Sequence, residues 1–519
     1  MNYRFKLMLV LFLLLPACKQ KTLDVHPGLA IANVGTKQAF FTHNLKPILS
    51  FGAMPDIIFH VADDAFDYKK WVDWHVANGM NHVRAYLPLS WKAIEYHTFE
   101  HGGSLDNVIF PFVETEPGSR TFDVTKYNDV FWIRFRQQCE YMQSRGIIIH
   151  LVMWDASQLE APVTRSRYRE MHDIYWDGHF FNPRNNVNRF TNHLGQRLRY
   201  RFSIYHSVAE QRRPLVKATK YWFLKIIDMT ADMDNICYDL VGNLSDNQGD
   251  WDKTQLWIDE MAMASRLRYK KLQPLKTMVL GFDAGGLDMG DWHKNSTLPG
   301  VGSQVDWLFS RPYFDVIICS NANTVQQAHA WQEHYRKPYV GAVLQVDAKP
   351  GAAQSFANER QIVRQHLWQF FMAKCQQVDL YFPSMDHVQT STPDSLAQYD
   401  LFRSDAQVMW DVWAKLSDYP NLCNNGVSID SPTENNYILS SAKEALIYCT
   451  DTNFDLENTH APQLLTIDSL ATNNGNYVAY CVSPADSILY SEPVEIRSGN
   501  VTLTVPQFQH DIAFLIQKK

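Results

Sequence analysis

Polar and aromatic side chains recur just past the ends of short apolar runs, and their types suit a polyhydroxylated ligand. Arg84 and Tyr86 follow one run, Trp154 and Asp155 the next, and Asn243 and Asp246 the one after. Asp283, Gln345 and Asp347 follow later runs, and His179, Asn185 and Asn186 share one polar loop. Trp and Tyr rings cover the apolar face of a sugar, while Asp, Asn, Gln and Arg pair with its hydroxyls. Any one of them alone is more simply a loop or capping residue. Their recurrence in register is what points to a cleft.

Such a cleft needs elements to hold it. Short apolar runs alternate with longer amphipathic stretches between about residues 46 and 390. The runs are Ile48–Ala53, His82–Leu87, Ile147–Trp154, Ile236–Val241, Thr277–Phe282, Phe314–Cys319, Tyr339–Gln345 and Asp379–Phe382. Repeated βα units of this kind build a parallel sheet, and eight is the number that closes a (β/α)8 barrel. Phe131, Phe135, Cys139 and Met142 fall on one helical face before Gly146, a C-terminal stop. Trp257, Met261, Ala264 and Leu267 form a similar stripe, and so do Ile362, Val363, Leu367 and Phe370. An open doubly wound sheet would want a Gly-rich phosphate loop after an early strand, and the sequence has none. Working groups of a barrel sit at the C-terminal ends of its strands, where Ser320-Asn321 and Ser384-Met385-Asp386 also fall.

The expected organisation is a barrel over 46–424, then a small antiparallel β-sandwich over 425–519. In the latter, alternating segments such as Ala445–Cys449, Asn476–Val482 and Val501–Val505 are punctuated by Asn, Ser, Thr, Asp and Pro. This second unit would either cap the barrel or bind polysaccharide. Residues 19–45 read as a leader with one or two edge strands. Residues 1–18 combine Arg4 and Lys6, an apolar run from Leu7 to Leu15, and Leu15-Pro16-Ala17-Cys18. The run is too short to span a bilayer and has signal-peptide flanks. It resembles a bacterial lipoprotein box, which implies export and a lipid on Cys18. Lys19 in place of Asp implies the outer membrane.

Other classes are disfavoured. A net charge of −7 provides no basic field for nucleic acid. No Cys-x-x-Cys pair and no Gly-x-Ser-x-Gly elbow is present. Cys237 and Cys319 read as core residues, and a Cys449–Cys481 disulfide is one pairing an oxidising compartment would allow. His172, Asp173, Asp177 and His179 are close in sequence, but read as a solvated loop rather than metal ligands. No metal and no cofactor is expected, and no feature sets an oligomeric state.

The stretch from Ala65-Phe66-Asp67 to Gly79-Met80-Asn81-His82-Val83-Arg84 resembles the first helix and second strand of cellulase-like barrel glycosidases. The loop His179–Asn188 and the tail from Gly475 to Leu515, with its Pro-x-x-x-x-Asp-Ile-Ala-Phe-Leu-Ile ending, resemble further parts of that group. The resemblance implies a glycoside hydrolase acting on a carbohydrate. It also implies an Asn-Glu pair after strand four and a Glu after strand seven, roughly 5 Å apart in retaining enzymes. Here strand four ends Gly242-Asn243-Leu244, and strand seven ends Leu344-Gln345-Val346-Asp347. Leucine cannot protonate a leaving oxygen and glutamine cannot form a glycosyl ester. A two-residue slip would give Asp246 the acid/base role and Asp347 that of nucleophile. The alternative is a catalytically inactive barrel that binds a glycan.

Overall fold

A computed structural model describes residues 28–34, 38–53, 59, 64, 66–100, 102–159, 175–190, 201–244, 249–285, 287, 298–318, 325–340, 342–345, 353–381, 393–423, 428–430, 433–451 and 459–519. Eight parallel strands form the body: Ser50–Ala53, His82–Tyr86, Ile148–Val152, Ile236–Asp239, Leu280–Gly281, Ile317–Ile318, Tyr339–Val340 continuing as Ala342–Gln345, and Gln377–Tyr381. Strands five, four, three, two, one, eight and seven hydrogen-bond in that order. Strand six pairs with seven, and a parallel bridge from Asp283 to Ile318 joins five to six, closing the ring. Each expected run therefore supplies one strand of a (β/α)8 barrel.

Helices cover the outside by burying one stripe each. Asp129–Ser144 buries Phe131, Phe135, Cys139 and Met142, and Gly146 follows its cap with φ of 77°. The stripe expected on Trp251–Leu272 needs correction. Leu267 is 67% exposed, and the buried face runs through Trp257, Ile258, Met261, Ala262, Ser265 and Tyr269. Three-residue steps fall short of a full turn, so the two of them from Met261 to Ala264 to Leu267 rotate the stripe off the buried face and into solvent.

The leader strands close the bottom of the barrel. Leu29–Val34 and Gln38–His43 form an antiparallel hairpin. Its Leu29 and Phe41 join Ile148, Cys237, Val279, Val316, Ile318 and Val340 in an apolar cluster at the N-terminal ends of the strands. Cys237 is thus the core residue expected; Cys319 lies outside the described residues.

The C-terminal unit is a sandwich of a three-stranded and a five-stranded antiparallel sheet. Its strand Glu444–Thr450 is buried on both faces. Ala445, Ile447 and Cys449 pack towards the smaller sheet, while Leu446 and Tyr448 join the barrel's own core. The Cys449–Cys481 disulfide is excluded, because strand Asp511–Lys518 lies between their strands, pairing Ile512 with Cys449 and Phe514 with Cys481. Two strand spacings put their backbones about 10 Å apart, beyond disulfide reach. No helix among the described residues is long and apolar enough to cross a membrane.

Candidate functional site

Strand two alternates, and its inward side chains are polar: His82, Arg84 and Tyr86. Arg84 is fully buried, and its Nη2 donates to Asp239 on strand four and to Asp283 past strand five, both at 2.9 Å. Its Nη1 lies 4.0 Å from Asp379 Oδ2 on strand eight. The guanidinium also stands 5.7 Å from the Tyr86 ring centroid. One cation thus gathers three carboxylates, which makes Arg84 a strut inside the barrel as well as a neighbour of the mouth. Burial pushes the Asp239 carboxyl up to about 8 against the pull of Arg84. Burial also pushes Tyr86 up and holds His150 well below its usual range.

Asp155 sits at the rim, just past strand three. Its Oδ1 accepts from the Ser157 hydroxyl at 2.7 Å, the Ser157 amide at 3.1 Å and Asn243 Nδ2 at 3.2 Å, and its Oδ2 accepts from Gln158 at 3.2 Å. Burial raises its pKa while these donors oppose the rise. Asn243 is exposed and adopts φ of 57°. Gly242 before it allows strand four to lie against Tyr86 and Val152, since a Cβ there would stand 2.7 Å from Val152 Cγ1. Leu244 turns inward and is fully buried. Tyr86, Asp155, Asn243 and Asp283 are therefore the predicted residues that the fold brings to the C-terminal end of the barrel.

Four others belong elsewhere. Trp154 is fully buried outside the strand ring, packed against Phe223 and Trp257, with its indole N–H donating to Tyr205 at 3.1 Å. An aromatic one residue before an inward Asp155 must face outward. His179 is also fully buried, against Trp154, Trp176 and Phe181, and burial lowers its pKa to about 3. Asn185 donates to the carbonyls of Asp177 and His179, and Asn186 to those of Phe180 and Asn182. Their amides satisfy the backbone of a folded loop instead of lining a cleft. Gln345 is on strand seven, but its side chain, like Asp246, Asp347, Cys18, His172, Asp173, Ser320, Asn321, Ser384, Met385 and Asp386, lies outside what is described.

The sequence reading missed His82, His150, Asp239, Gln377 and Asp379, all fully buried in the barrel. The signal was present: polar residues two apart in strands two and eight mark one inward face.

No family model matches the sequence, and no curated protein matches it. Solved structures do match in shape. A glycoside hydrolase aligns over 95% of this chain and 97% of its own, with a TM-score of 0.53 and 10% identity. A glycoside hydrolase family 5 protein from Bacteroides vulgatus ATCC 8482 aligns over 95% and 93%, with a TM-score of 0.56 and 12% identity. The fold is a glycoside-hydrolase fold. At such identities the likeness reaches the architecture, including the appended β-sheets, and leaves the chemistry to this chain's own residues.

Proposed function

We propose that this chain is a glycoside-hydrolase-like lipoprotein of the cell envelope that binds a polysaccharide or oligosaccharide at the C-terminal mouth of its barrel without hydrolysing it. The observation that carries this reading is Leu244, fully buried directly after Asn243. The position where the resemblance calls for a general acid holds a side chain with no proton to give. Around it, Asp155, Asn243, Asp283 and Tyr86 supply donors, acceptors and an aromatic body suited to hydroxyls and a ring face. The ligand class also draws support from the shared fold. Export, the lipid on Cys18 and the outer-membrane address rest on the sequence of residues 1–19.

Titration calorimetry against a panel of soluble polysaccharides and oligosaccharides tests it. One glycan should bind, and Asp155→Ala should weaken that binding about tenfold, the loss of one or two hydrogen bonds to a polar ligand. Binding to no glycan, or affinity unchanged by Asp155→Ala and Asn243→Ala alike, removes the mouth as the site.

A further inference from the structure

The interior of the barrel is charged where such interiors are usually filled by branched apolar side chains. His82 on strand two, His150 on strand three and Asp379 on strand eight each offer one ligand atom, and these atoms lie within 4.8 Å of one another. All three residues are fully buried. We propose that they form a structural site for a divalent transition-metal ion of the zinc type, which ties strands two, three and eight together across the barrel.

Three observations support the site independently. The first is the state of the donor atoms. His82 Nε2 lies 2.7 Å from Asp379 Oδ1, yet neither ring nitrogen of His82 makes a hydrogen bond, and His150 Nε2 makes none. Polar atoms buried this deeply without a hydrogen bond are destabilising unless something satisfies them. The second is charge. Asp239, Asp283 and Asp379 face the single guanidinium of Arg84, so the buried carboxyl groups outnumber the one cation the chain supplies to them. The third is the arrangement around the donors. Arg84 approaches Asp379 from Oδ2, which leaves Oδ1 on the side of His82. The Gln377 amide lies 2.6 Å from His150 Nδ1. Gln377 Nε2 also lies 3.3 and 3.4 Å from the two Asp379 oxygens, so the same amide borders both His150 and Asp379. Asp239 Oδ2 is 3.6 Å from His150 Nε2, close to the roughly 3.3 Å between donors on one tetrahedral ion.

Two imidazoles with a carboxylate select zinc-like ions over magnesium or calcium, which prefer oxygen alone. Full burial closes the ion to substrate, so its role is to hold strands rather than to activate water. It would be acquired as the barrel folds.

The test uses the full chain, purified from cells grown with zinc, iron and manganese in supply. Elemental analysis should give about one metal ion per chain. Protein unfolded in guanidinium and refolded with EDTA should melt several degrees lower, and one equivalent of zinc sulfate during refolding should restore the melting temperature. Cobalt(II) in place of zinc should give visible absorption bands of a four-coordinate centre, and His150→Gln should abolish both the bands and the metal content. Should that variant not fold, the wild-type refolding comparison decides alone. Metal-free protein from the supplied cells, with the same melting temperature after refolding with or without zinc, overturns the site and assigns the neutralising charge to protons.

Discussion

The most informative single residue is His179, because its chemistry is opposite to what its loop position suggests. A histidine among polar loop residues reads as a ligand-facing group, yet the ring is enclosed by Trp154, Trp176 and Phe181. Burial lowers its pKa to about 3, whereas the unfolded chain takes up a proton near 6.5. The unfolded state therefore binds the extra proton between those values, and stability is fully present above pH 6.5 and lost as pH falls towards 3. The bound on this effect is about 5 kcal/mol. Urea denaturation from pH 7 to 4 should show His179→Gln losing less stability over that range than the wild type. Equal slopes would mean that His179 titrates normally. Asn185 and Asn186 teach a related lesson. Their side chains look available in sequence, but a tight loop has carbonyls to satisfy, and asparagine reaches them within a few residues. What a single sequence hides is direction: whether a polar side chain serves a ligand or its own backbone.

At the scale of elements, legibility was high for a physical reason. Barrel strands are buried on both sides, so they stand out as apolar runs, and all the expected runs became strands. The inward face was less legible, since a charged network such as His82, Arg84 and Asp379 is unusual in a barrel core and gives a polar break instead of an apolar signal. Strand one shows how tightly these elements meet. A Cβ on Gly52 would stand 1.7 Å from the carbonyl oxygen of His82, on the neighbouring strand. Backbone cannot yield as a flexible side chain does, so Gly52→Ala should cost about 3 kcal/mol or more. Denaturant titration measures this, and a loss under about 1 kcal/mol would show that strands one and two can separate freely.

For the whole molecule, the question left open by the sequence was whether the C-terminal sandwich is an appended binding module or part of the barrel's support. The interface argues for support. Arg364, on the barrel helix Ala353–Met372, makes a two-pronged contact with Asp511 at 3.0 and 3.1 Å, and Tyr448 donates to the same carboxylate at 3.0 Å. Trp368 stacks on Tyr448 with centroids 5.4 Å apart. Removing the sandwich would bare this apolar and charged surface. Arg364→Ala, which strands Asp511 in the interface, should cost roughly 3–5 kcal/mol. A single cooperative thermal transition at lower temperature is the expected outcome, whereas separate melting of the two units would indicate independent domains. Barrel, sandwich and hairpin pack against one another, with Asp155 and Asn243 at the C-terminal mouth of the barrel.

The central claim is that this mouth recognises a glycan and does not cleave it. It is tested most directly by measuring hydrolysis of a broad polysaccharide and aryl-glycoside panel by the wild type, Asp246→Asn and Asp347→Asn. The account predicts no turnover of any substrate by any of the three, including the glycan that binds. Turnover by the wild type that disappears in both variants would contradict it, and would establish a glycosidase that uses aspartates where the sequence resemblance to cellulase-like barrel glycosidases implies glutamates.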